Sequence, residues 1–245
     1  MSHAPATAVP DESHWLCEGC GYVLDGLQHA ARCPECGKPT SESAAHLRVA
    51  PRWERPRDAG WVKRFAITTA EILFRPSHFY RSLATRGSRE HSARFARIHW
   101  TIASVLFGIA AWLHFDWAWP GSGNAIGVAL PWWTALVLAV ASYLFLTLTL
   151  GLAARLTTWE ATYRGIRLPL GVVRRGLDYH AAHYLPVAIL AAATVVVSRF
   201  ILIHHNSPQS AMSYIVTLSA EIVIAALYLF ITYWKGMRNM MYASR

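Results

Sequence analysis

Four long apolar stretches restrict the fold of this chain more than any other feature. Residues 98–115 and 117–154 contain no Lys, Arg or Glu, with Asp116 between them. Residues 184–203 are broken only by Arg199, and 211–234 only by Glu221. Each can cross a hydrocarbon core of about 30 Å as a helix rising about 1.5 Å per residue. Lipid offers no partner to open backbone N–H and C=O groups, so a helix is the form that satisfies them. The expected fold is therefore all-α and integral to a membrane: a four-helix transmembrane bundle with spans near 98–117, 128–152, 184–204 and 212–234. Of the 245 residues, 54% are hydrophobic and 15% charged, a balance too apolar for a soluble domain of this length.

The basic residues predict an orientation. Residues 1–97 carry fourteen Lys and Arg, 116–130 none, 154–183 five, 204–212 none and 235–245 three. Positive residues collect on the cytoplasmic side, so both termini and the middle loop are expected there, in a cell (inner) membrane. Tryptophans fall at the expected boundaries: Trp117, Trp119, Trp132 and Trp133 at the outer face, and Trp100, Trp159 and Trp234 at the inner one. The net charge of +9 then reflects this bias and attraction to anionic lipid, rather than nucleic-acid binding.

All four cysteines lie within the first 36 residues, as Cys17-Glu-Gly-Cys20-Gly-Tyr and, twelve residues later, Cys33-Pro-Glu-Cys36-Gly. Two Cys-x-x-Cys pairs can give four thiolates to one metal ion. The glycine after each pair supplies the positive φ that a tight knuckle turn needs. Two disulfides are the competing arrangement, but they require an oxidising compartment, and residues 1–16 hold no apolar leader run. Residues 11–40 carry five acidic and two basic side chains, so this region repels a phosphate backbone.

Composition divides the chain further. Residues 1–12 are small, polar and proline-containing, and are expected to be disordered. Residues 13–40 form the four-cysteine ribbon, which metal binding must stabilise because so short a segment buries little. Residues 41–60, with Pro51 and Pro56, read as a linker. Residues 61–97 form a basic amphipathic segment, with Trp61, Phe65, Ile72 and Phe79 among Lys63, Arg64, Arg81 and Arg86. Such a segment lies in the inner membrane interface or packs under the bundle. The bundle occupies 98–235 and a cytoplasmic tail 236–245.

Two resemblances follow from short motifs. Cys17-x-x-Cys20-Gly21-Tyr22-x-Leu24-x-Gly26-Leu27 with Arg32-Cys33-Pro34-Glu35-Cys36-Gly37 resembles the zinc ribbon at the front of many bacterial membrane proteins. Trp15, the Asp25-Gly26 pair and the same cysteines also look like the rubredoxin module of rubrerythrins. The first likeness implies structural Zn2+, and the second implies redox iron in the same four-cysteine site. The remainder is similar to the Yip family of multi-span proteins through Leu73-Phe-Arg-Pro76-Ser-His-Phe79, Tyr184-Leu-Pro186 and Lys235-Gly236-Met237-Arg238. That family has five spans, which four would match only if 61–80 also entered the bilayer. It implies an organising or trafficking role without catalytic residues.

Other candidate chemistry is sparse. No Ser-His-Asp order, phosphate loop or carboxylate pair stands out, so no enzyme is expected. His99 with His183, and His114 with His204, could face each other as haem ligands, but all lie at span ends, where interfacial histidines are ordinary. Arg199 and Glu221 are the only charges well inside the spans, and fit either an intramembrane ion pair or a small transporter's path. Ala188, Ala191, Ala192 and Ala193 allow close helix packing, within one chain or in an oligomer. The expected function is an organising one, in which the ribbon docks a cytoplasmic protein partner at the bilayer. A rubredoxin-like electron carrier and a transporter are the alternatives.

Overall fold

A computed structural model describes residues 9–11, 13–27, 31–55, 60–118, 130–205 and 208–244. The side chains of 117, 118, 202–205 and 208–211 are outside that description. The segment 1–8, the loop cores at 119–129 and 206–207, and the side chains of Trp117, Trp119 and His204 therefore fall outside it as well.

The apolar stretches are helices. In chain order these are α1 (Trp61–Phe74), α2 (Pro76–Ser82), α3 (Arg89–Leu113), α4 (Trp133–Tyr163), α5 (Leu170–His180), α6 (Tyr184–His205) and α7 (Pro208–Met240). Four helical stretches are long and apolar enough to cross a membrane: Arg89–Asp116, Trp133–Tyr163, Leu170–Ile201 and Met212–Met240. Each overlaps one of the four expected spans. The first and third start earlier, at 89 and 170, the second starts at 133 and runs to 163, and the fourth runs on to 240. α4 runs on to Tyr163, and at its end Glu160 and Arg164 form an exposed pair at 2.7 Å across one turn. It stops at Gly165, whose φ of +70° closes the end: Gly165 N–H donates to Thr162 O and Ile166 N–H to Ala161 O. That double bond set satisfies the last carbonyls of the helix.

Residues 61–80 do not form a fifth span. Pro76 ends α1 after 14 residues and starts a second helix of 7, each shorter than a hydrocarbon core requires. α1 leaves Trp61, Val62 and Phe74 exposed, with Phe74 at 82%.

The chain divides into two compact units: residues 1–96, 150–180 and 232–245 form the first, and 97–149 with 181–231 the second. The first unit has an aromatic core. Trp53, Phe65, Phe79, Phe95 and Tyr179 pack with ring centroids 5.2 to 5.9 Å apart. The expected linker at 41–60 is structured where it is described. Three 3-10 turns span Thr40–Ser43, Ala45–Leu47 and Arg52–Glu54. Val49 bridges in parallel to Leu83, and the Trp53 indole N–H donates to His91 O at 2.7 Å. Pro51 is buried and leads into the last of these turns, and the backbone groups around it find partners.

The second unit buries Ala110 and Leu113 of α3 against Val195 of α6 and Tyr214 of α7. At Gly108 the α4 backbone comes so close that a Cβ would sit 2.6 Å from Ala135 O and Ala139 N. Apolar side chains such as Leu148, Phe145 and Ile222 point outward, as lipid contact requires.

Candidate metal centre

Each cysteine pair is carried by the same turn, repeated sixteen residues apart. Cys17 N–H donates to Tyr22 O and Gly21 N–H to Cys17 O, both at 2.8 Å. In the second copy Cys33 N–H donates to Lys38 O at 2.8 Å and Gly37 N–H to Cys33 O at 2.9 Å. Antiparallel bridges Leu16–Val23 and Arg32–Pro39 close the two turns. Gly21 and Gly37 have φ of +82° and +70°, a region costly to any residue with a Cβ. Leu24, fully buried, sits with Cys17 and Cys33 over Trp15 and Leu27, forming a core too small to hold the ribbon alone.

The turns bring all four Sγ atoms within 4.8 Å of one another. Cys17 and Cys36 Sγ are 3.5 Å apart, and Cys20 and Cys33 Sγ 3.6 Å. These are not disulfides, whose S–S bond is about 2.05 Å. A tetrahedral metal with ligands at about 2.3 Å places its sulfurs about 3.8 Å apart, so the thiols fit such an ion closely. The electrostatics fit too. Burial raises the Cys17 thiol, but N–H groups of Gly19 and Cys20 and the facing thiols outweigh it, bringing it down to about 7. Burial and the neighbouring sulfurs push Cys20 up to about 12 against the pull of Tyr22 N–H. One thiolate forms readily and the crowded neighbours resist a second negative charge. A cation among them removes that conflict. Cys17, Cys20, Cys33 and Cys36 thus form a site able to hold one metal ion.

The ribbon is fastened by a buried clasp that the sequence did not disclose. Arg48 donates from Nε and Nη2 to the two oxygens of Glu18 at 2.8 and 2.9 Å. Its remaining N–H groups reach Tyr80 O, Leu83 O and Asn239 O between 3.0 and 3.2 Å. Ser244 N–H also donates to Glu18 at 2.9 Å, and the Ser244 hydroxyl to Leu16 O at 3.0 Å. Arg167 completes the attachment by donating to Asp11 O, His14 O and Ala243 O. Asp25, at the ribbon's edge, feels a burial that raises its pKa, yet His14, the Trp15 N–H and Arg167 together hold it below the usual carboxylate range.

The remaining candidates lie on the membrane-length helices. His99 and His183 are fully buried, and His183 Nδ1 shares a hydrogen bond of 2.7 Å with the Tyr228 hydroxyl. His114 Nδ1 engages the Tyr214 hydroxyl. The side chain of His204 lies outside the described residues, so the second haem pair cannot be assembled from them. Glu221 is buried on α7 and Arg199 half-buried on α6. A pairing between Arg199 and Glu221 remains an expectation.

Against known protein families, curated proteins and solved structures, the chain finds no match. The likeness to the Yip family consequently stands on its short motifs alone.

Proposed function

We propose that this is a membrane-anchored adaptor whose ribbon, folded around structural Zn2+, docks a cytoplasmic protein partner. The observation that carries the reading is a cleft of about 530 Å³ beside the ribbon, walled jointly by ribbon and juxtamembrane residues. Glu18, Cys20 and Lys38 form one side, and Arg81, Arg238 and Tyr242 the other. The second wall belongs to segments that the ribbon meets through the Glu18–Arg48 clasp and the Ser244 and Arg167 hydrogen bonds. A metal held by Cys17, Cys20, Cys33 and Cys36 would stabilise this surface without offering a reactive position, because four protein thiolates would fill its coordination shell. Lys38, Arg81 and Arg238 favour an acidic segment of the partner. The positive-inside count supports a cytoplasmic position for this face in a bacterial cell, and the Yip-like motifs agree with an organising role.

Photocrosslinking from position 38 in intact membranes tests the reading. A partner captured by the wild type and lost in an Arg81→Glu/Arg238→Glu variant supports it. Equal capture by both, or none by either, rejects it.

A second reading, electron transfer through iron held by the same four cysteines, is favoured by the exposure of Cys20 and Cys36, since an electron needs a solvent-facing sulfur. The visible spectrum of the purified protein separates the two. A colourless protein with one zinc per chain excludes iron, and a red one excludes the adaptor's structural zinc.

A further inference from the structure

A second cavity, distinct from the ribbon cleft, lies in the first unit and has a volume of about 520 Å³. That is within the range of about 300–1,000 Å³ typical of small-ligand sites. Four arginines line it: Arg86, Arg89, Arg174 and Arg175.

Arg175 is structural. It is buried, donates to Ala84 O at 2.8 Å and pairs with Glu54 at 2.8 Å, while Tyr179 also donates to Glu54. It thereby pins the loop 84–88 that carries Arg86, so tightly that a Cβ on Gly87 would lie 2.3 Å from its guanidinium. Arg86 and Arg89 are exposed and Arg174 half-buried. Among the described residues none of these three forms an ion pair. Asp178 is a second opposing charge: it accepts from the Ser92 hydroxyl at 2.7 Å and feels Arg89, Arg174 and Arg175. Glu90, in the first turn of α3, is paired with Arg94, so the four guanidinium groups are set against Glu54 and Asp178 and two positive charges are left over.

The backbone adds to this field. Arg89 begins α3, and Leu170 and Gly171 begin α5, so two helix N-termini open on the same cavity. Ser88 caps α3 by accepting from His91 N–H and Ser92 N–H, and Pro169 O accepts from Val172 and Val173 N–H, so the two N-termini add mainly the positive end of each helix dipole. Guanidinium forks and helix N-termini are both suited to phosphate oxygens. An excess of two charges matches a phosphate dianion. Each of the two helices also leads directly into a candidate membrane span, Arg89–Asp116 and Leu170–Ile201.

We propose that this cavity binds the phosphate group of an anionic ligand through Arg86, Arg89 and Arg174. A phospholipid headgroup and a free soluble phosphate present the same group, and the experiment distinguishes them. Calorimetric titration of the full-length protein in detergent with inorganic phosphate reads the soluble source. Native mass spectrometry of protein from nanodiscs containing phosphatidic acid and phosphatidylcholine reads the lipid source. The Arg86→Gln/Arg89→Gln/Arg174→Gln variant is expected to weaken phosphate binding at least about tenfold, or to lose retained phosphatidic acid. Lys63→Gln/Arg97→Gln/Lys235→Gln removes the same number of charges from exposed positions elsewhere and is expected to change neither. Should the first triple variant fail to fold, Arg86→Gln alone, on an exposed loop position, is expected to lose severalfold with an unchanged melting curve. Binding of neither probe by the wild type overturns the proposal, as does equal loss in the two charge-matched variants.

Discussion

Replacing Arg48 with methionine keeps most of the aliphatic stem and removes the guanidinium at the centre of the ribbon clasp. Five described hydrogen bonds disappear with it, two to Glu18 and three to the carbonyls of Tyr80, Leu83 and Asn239. The side chains of Arg48 and Glu18 are only 3% and 10% exposed, so water screens the pair little. Glu18 would keep the Ser244 N–H but lose its countercharge. Removing one partner of a buried pair costs about 3–5 kcal/mol, because the remaining charge stays desolvated. If the ribbon opens before it yields its metal, that cost speeds release by roughly a hundredfold to a few thousandfold, at about 1.4 kcal/mol per tenfold. Transfer of the bound metal from purified protein to a chromogenic chelator measures the rate. Glu18→Gln and the Glu18→Gln/Arg48→Met double variant complete a cycle, and the double is expected to cost less than the two singles together by at least about 1 kcal/mol. Release from Arg48→Met within threefold of wild type, with additive single effects, would refute the idea that this clasp seats the ribbon.

Gly21 and Gly37 offer a paired test of the knuckles. Both substitutions to alanine meet a positive φ, at a cost of about 1–2 kcal/mol, but only at Gly21 would the Cβ strike Tyr242, at 2.6 Å. Gly21→Ala should therefore release metal faster than Gly37→Ala, and equal rates would remove Tyr242 from the account. In the second unit, Gly108→Ala drives a methyl into the α4 backbone, which cannot rotate aside as a side chain could. It is expected to cost roughly 1–3 kcal/mol and lower the thermal midpoint in detergent, and a wild-type midpoint would disprove that close approach. Asp25→Asn removes a carboxylate whose folded pKa is depressed by His14, Trp15 N–H and Arg167 against its partial burial. Its stabilisation is present above the ordinary value of about 3.9 and is lost as pH falls through the lower folded value. Because Asp25 is largely exposed, the effect should stay under about 1 kcal/mol at neutral pH and vanish in acid. A gap between variant and wild type that widens below pH 4 would reverse the sign and contradict the pairing.

The four spans and the four metal ligands were legible in the sequence because each obeys a local rule. An apolar run of about twenty residues has no alternative to a helix in lipid, whatever its neighbours do. Two Cys-x-x-Cys-Gly turns carry their own geometry, and Gly21 and Gly37 show the left-handed φ that the spacing implied. Helix ends were less legible. α4 outlasts its apolar run to Tyr163, and the Glu160–Arg164 pair and the Gly165 cap lie in a stretch that reads as a polar loop.

Charge taken as a count along the chain predicts orientation, but it hides pairing. Glu18 entered the sequence argument only as one of five acidic residues, and Arg48 as one basic residue in an expected linker. Thirty positions separate them, and no periodicity links the two. Arg86, Arg89, Arg174 and Arg175 likewise counted toward the positive-inside bias, although 85 or more residues divide the two pairs. Only folding brings them around one cavity.

The sequence by itself thus determined the elements whose stability is local, namely spanning helices and metal knuckles, because lipid and metal each impose a fixed demand on a short segment. The tertiary structure alone decided that the ribbon is clasped in the first unit, and which arginines are buried in pairs and which are left facing open space. Those outcomes depend on long-range contacts, where the desolvation of one charge is offset only by a partner that the folded chain delivers.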